Sequence, residues 1–114
     1  LVFAAYNAQK NRVADSHRVS YLDWSNPVGK ACECLVASDI VYEKKNQVYL
    51  NRVLRVLLEP GGRLYLSDPK RRPAERFVEM LLKQHYTHEV ETVAQTLRSV
   101  DYEVNIHIFT KGAR

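Results

Sequence analysis

Residues 33–67 read ECLVASDIVYEKKNQVYLNRVLRVLLEPGGRLYLS, and the order of patterns within them decides the fold. The run ECLVAS, residues 33–38, is apolar, of strand length, and closes at Asp39. A continuous run of this kind suits a parallel strand buried on both faces. Gln47 to Leu58 puts Leu50, Val53, Leu54, Leu57 and Leu58 on one side and Asn51, Arg52 and Arg55 on the other. That is the stripe of an amphipathic helix. Pro60-Gly61-Gly62 is expected to end the helix and turn the chain. RLYLS, residues 63–67, is a second buried strand, closed by Asp68-Pro69.

Outward from this unit the alternation continues. Pro73 sits where a helix can begin, and Phe77, Val78, Leu81 and Leu82 give that helix an apolar face. Thr87 to Ala94 is a weaker strand. Glu103 to Phe109 alternates, with Val104, Ile106 and Ile108 on one side, and is expected to pair antiparallel at or near the sheet edge. Upstream, residues 1–13 carry helical spacing, with Val2, Ala5 and Ala8 on one face and Asn11 suited to the left-handed position at the end. Arg18 to Leu22 is a short β-rich run that ends at Asp23-Trp24, followed by the loop SNPVGK. Helices alternating with strands imply a layered α/β fold with a mainly parallel sheet. In this reading residues 18–22, 33–38 and 63–67 are parallel neighbours or near neighbours.

At 114 residues, with 46% hydrophobic composition, the chain makes one small domain. Seventeen Lys and Arg against 13 Asp and Glu give a net charge of +4, scattered rather than striped, with Lys70-Arg71-Arg72 the densest run. Nucleic acid is thereby disfavoured as a partner. Cys32 and Cys34 flank one residue, too close for an unstrained disulfide and without further ligands for zinc. Both read as reduced thiols, which fits an intracellular, cytoplasmic setting. No apolar stretch approaches the ~20 residues that cross a bilayer.

In open α/β sheets ligands bind beyond the C-terminal ends of the strands. The residues there are Asp23 and Trp24, then Asp39 to Glu43, then Asp68 to Arg72. NAQKNRV, RVSYLDW, CLVASDIVYE and LLEPGGRLYLSDPKR together resemble the class I, seven-β-strand S-adenosylmethionine-dependent methyltransferases. The nearest resemblance is to the protein lysine methyltransferases and their nicotinamide N-methyltransferase-like relatives. LLEPGGRLYLSD marks class I generally; DIVY resembles the Asp-x-x-Tyr motif of the lysine group.

The resemblance implies a Rossmann-like methyltransferase sheet with helices on both faces. Of that fold the chain matches the C-terminal part. The N-terminal strands and glycine-rich cofactor loop would precede Leu1, supplied by a longer chain or by a completing partner. Asp23 would accept a hydrogen bond from the adenine amine, with Trp24 beside the ring and Ala37 and Ser38 along the methionine arm. Asp39 and Tyr42 would line the channel of the incoming amine. Asp39 is equally the residue type of a helix N-cap, Tyr42 of simple packing, and Trp24 of a strand-end core aromatic. Asp68, Arg71 and Arg72 match a pattern after the fifth strand, without a defined role. The acceptor implied is a protein lysine, with a small-molecule amine as the alternative. A catalytically inactive binding module is the reading from another class.

Overall fold

The structure, a computed structural model, describes residues 2–38, 40–41, 43–69 and 72–112. Asp39, Tyr42, Lys70 and Arg71 therefore lie outside the described residues. Helix α1 (Val2–Lys10) is followed by a single 3₁₀ turn at Ala14–Ser16. Then come β1 (Cys32–Ser38), α2 (Lys44–Leu57), β2 (Leu58–Asp68), α3 (Arg72–Lys83), β3 (Thr87–Leu97) and β4 (Val100–Thr110). They form one four-stranded sheet in the order β1-β2-β4-β3. β1 and β2 are parallel, while β4 inserts antiparallel between β2 and β3.

Alternation along the strands separates two faces. Leu64 and Leu66 of β2 lie opposite Phe109 and His107 of β4, and all four are buried. Both α2 and α3 pack on this face. Leu50, Val53 and Leu54 from α2 join Ala74, Phe77 and Leu81 from α3 in one core with Leu64, Leu66 and Phe109. Phe77 meets Phe109 edge-on, with centroids 5.7 Å apart and planes at 85°, the favourable geometry for two aromatic rings. Leu82 falls outside the apolar stripe expected for α3. It is 49% exposed, and Ala74 takes its place in the core, because three- and four-residue steps from Phe77 and Leu81 lead back to 74.

The junction between α2 and β2 also departs from expectation. The helix stops at Leu57, before Pro60, and Leu58 is already extended, its N–H donating to the Leu54 carbonyl. The Lys111 ammonium supplies part of the stop by donating to the carbonyls of Leu54 (2.9 Å) and Leu58 (2.7 Å). A cation at a helix C-terminus satisfies its orphan acceptors and opposes its dipole. Gly61 adopts φ 79°, and a Cβ on Gly62 would stand 2.8 Å from the Glu59 carbonyl oxygen and 3.0 Å from that of Glu33. Glycine at 62 lets β2 lie this close to β1.

Two further expectations are corrected. Residues 18–22 form no strand; a strand exists only where a neighbour completes its hydrogen-bond ladder, and no described strand lies beside this segment. At the end of α1 the left-handed position belongs to Arg12 (φ 60°), not Asn11. Helical bonding still includes the Asn11 N–H, which donates to the Asn7 carbonyl, and the Asn11 amide donates to the same oxygen.

Candidate functional site

The C-terminal ends of β1 and β2 lie side by side, with Ser38 paired to Ser67 and their hydroxyls joined at 2.9 Å. Ser38 is exposed, while Ala37 faces the helix side and is half-buried against the core. Beyond β1 the chain passes through Val41, fully buried. Gln47, on the core side of α2, fixes that passage. Its amide donates to the Val41 carbonyl (2.8 Å) and the Pro73 carbonyl (2.7 Å). One side chain thus holds both the segment after β1 and the first turn of α3, the two stretches that rim the sheet. Gln47 falls on the stripe of α2, three residues before Leu50 and seven before Leu54, a signal that sequence reasoning passed over; its partners at Val41 and Pro73 had none.

Asp23 and Trp24 reach the same core from upstream. Leu22 and Trp24 pack against it, half-buried, and Asp23 between them is exposed. Asp23 Oδ1 accepts from the Ser25 backbone N–H (2.9 Å) and hydroxyl (2.7 Å). These bonds, the hydroxyl's first, hold the Asp23 carboxyl below the ordinary carboxylate pKa. Arg52 of α2 ties the turn down by donating to the Ser25 carbonyl at 3.1 Å. Oδ2 takes no part in the turn, so a charged acceptor remains for a ligand donor. Among the described residues no hydrogen bond joins Asp23 or Trp24 to Ala37 or Ser38. The core is what Trp24 and Ala37 share, while Asp23 and Ser38 are exposed at its margin.

A cleft of about 580 Å³ opens beside Asp68 at the C-terminal end of β2, under α3. His88 and His107 both line it, with His88 Nε2 and His107 Nδ1 2.9 Å apart. Burial lowers the pKa of each ring. For His107 the neighbouring His88 lowers it further and Asp68 opposes. His107 shares the parity of Phe109 along NIHIF, so the sequence held a signal that it faces the core. Its pairing with His88 depends on register, which no pattern in the sequence fixes.

An α/β sheet with an antiparallel strand inserted next to its edge, and polar residues at the ends of its parallel strands, is the arrangement of the class I methyltransferases. The chain belongs to the family described as lysine methyltransferase, which matches residues 2–84. No curated protein sequence matches. Among solved structures, a SAM-dependent O-methyltransferase from Thermotoga maritima is similar over 97% of this chain, with TM-score 0.65 at 13% identity. A precorrin-6y C5,15-methyltransferase from Geobacter metallireducens is similar over 73%, with TM-score 0.55 at 19% identity. A methyltransferase from Pyrococcus furiosus is similar over 75%, with TM-score 0.53 at 20% identity. The chain spans 45%, 46% and 44% of their respective lengths. At these identities the likeness is one of fold. No helix among the described residues is long and apolar enough to cross a membrane.

Proposed function

We propose that this chain is the C-terminal part of an S-adenosylmethionine-dependent methyltransferase that methylates the side-chain nitrogen of a protein lysine. The observation that carries the reading is the sheet order β1-β2-β4-β3 with β4 antiparallel, in a chain of the lysine methyltransferase family. The cofactor supplies an electrophilic methyl group on a sulfonium. The residues present suit its adenosine end. Asp23 offers a charged acceptor for the adenine amine, held in place by Ser25, and Trp24 stands next to it. Ala37 and Ser38 would border the methionine arm.

A lysine amine, with an ordinary pKa of ~10.4, arrives charged and must lose a proton before it attacks. Asp39, by its place in the sequence, would orient the amine through a hydrogen bond. Tyr42 would give an aromatic wall favourable to the cationic product. Placing the amine in line with the methyl carbon is then the main catalytic contribution.

The test is transfer of isotope-labelled methyl from S-adenosylmethionine by the complete gene product. Labelling of a protein extract that disappears when its lysines are acetylated supports the reading. Labelling of the low-mass fraction alone would replace the lysine by a small-molecule acceptor. Cofactor binding without transfer to either would favour the inactive binding module.

A further inference from the structure

The buried residues of α2 are Gln47, Leu50, Val53 and Leu54, and Gln47 alone of these is polar. A leucine would fill the same stripe without the cost of desolvating an amide. What the amide gains is its pair of bonds, 2.8 Å to the Val41 carbonyl and 2.7 Å to that of Pro73. Carbonyls only accept, so both protons of one NH2 group are committed and its orientation is fixed. The base of the side chain is fixed as well. Gln47 is 5% exposed, and its backbone N–H donates to the Glu43 carbonyl (3.1 Å) in the first turn of α2.

The two carbonyls belong to different stretches of the rim. Val41 follows β1, with its side chain fully buried, and in the sequence it stands between Asp39 and Tyr42. Pro73 is the second residue of α3, which follows β2. Among the described residues no backbone hydrogen bond joins the two stretches directly. The Gln47 amide supplies a link that the main chain does not.

We propose that Gln47 is a positioning residue for methyl transfer: by locking the segment after β1 to the start of α3, it sets the place of the stretch that carries Asp39 and Tyr42. It acts through Val41 and touches neither acceptor nor cofactor. Without its donors two carbonyls lose their partners, and the two sides of the rim are free to part. Transfer is sensitive to such movement, since a misplacement of about 1 Å can cost about a hundredfold in rate. The part played in transfer rests on the methyltransferase reading; the lock between the two stretches does not.

The test uses the complete gene product and the variant Gln47→Met, which keeps the reach of the side chain and removes its donors. NMR relaxation should show the backbone amides of Val41 and Ala74 gaining motion together, while that of Phe109 stays rigid. In the labelled-methyl assay, with S-adenosylmethionine saturating and the protein extract as acceptor, turnover should fall about tenfold. Calorimetry should show the cofactor bound with unchanged affinity and in unchanged number per chain. A purely structural loss would lower the number of cofactor sites in step with the rate, and that result would overturn the assignment. So would an unchanged rate, or amides that gain motion in neither stretch. Should Gln47→Met fail to fold, the native protein decides. The side-chain N–H protons of Gln47 should exchange with solvent far more slowly than those of the exposed Gln9 and Gln95, and equal rates would overturn the lock. A native protein that transfers no methyl sinks the functional reading and the part assigned in transfer, while relaxation and exchange still decide the lock.

Discussion

Leu66 of β2 is 1% exposed, while Val36 of the adjoining strand, on the opposite face of the same sheet, is 79% exposed. Both are aliphatic residues at the centre of parallel strands. The difference lies in what stands over them. Leu64, Leu66 and Phe109 meet α2 and α3, whereas Cys34, Val36 and Tyr65 take no part in that core among the described residues. The uncovered face continues along β4 through Ile108, Ile106 and Val104. It then runs beyond the end of β2 onto the β3–β4 hairpin, where Leu97 is 60% and Val100 61% exposed. Glu89 and Glu91, paired with Ile108 and Ile106, interrupt its aliphatic residues. The covered face holds the core that accounts for the stability of the chain.

The contrast is broken most sharply by truncation. Phe77→Ala should cost about 3–5 kcal/mol by denaturant unfolding, through the cavity it leaves against Phe109. Val36→Ala should cost under about 0.5 kcal/mol, because Val36 is already in solvent. Comparable losses at the two positions would mean that the open face is packed in solution. Lys111→Met should cost about 1–2 kcal/mol, since the carbonyls of Leu54 and Leu58 lose a charged donor at the end of α2. An unchanged unfolding midpoint would contradict that role.

How much of this was legible depended on whether a local signal existed. The core of α2 and α3 was readable because each helix carries its own periodicity, strongest in Leu50, Val53 and Leu54; β1, expected to be buried on both faces, has one face open, with Val36 79% exposed, because no helix of the described core covers that side. Boundaries were less so: α2 ends at Leu57 through Leu58 and Lys111, a residue far along the chain, and not through Pro60. The strand expected at 18–22 has the right residues but no neighbour, which composition does not report. The last hairpin was read short because its turn is Arg98-Ser99, with φ 52° and 64°, where asparagine and glycine would have announced it. At the site, Asp23 and Trp24 were singled out as the end of a strand that the structure does not form, and Ala37 and Ser38 through the family resemblance alone. The histidine pair and the partners of Gln47 needed the strand register and the contact between helices.

Smaller effects sharpen the comparison further. His88 and His107 lie on the covered face, and burial lowers both pKa values below the ordinary ~6.5. The unfolded chain therefore binds more protons than the folded one as pH falls through that value. Stability should be complete above about pH 6.5 and decline below it. His107→Phe should flatten the decline in unfolding curves measured across pH; a slope that persists unchanged would assign it to other groups. Ser99→Gly should raise stability by up to about 1 kcal/mol, by relieving a left-handed residue, and a loss instead would show that Ser99 makes contacts of its own.

The most direct test concerns Asp23, through which the chain is held to meet the cofactor. Calorimetric titration of the complete gene product with S-adenosylmethionine should show binding that Asp23→Ala weakens by about 1.5–3 kcal/mol, the worth of a hydrogen bond to a charged group. Unchanged affinity in a variant that folds normally would contradict the placement of the adenine at Asp23, and with it the account of this end of the sheet.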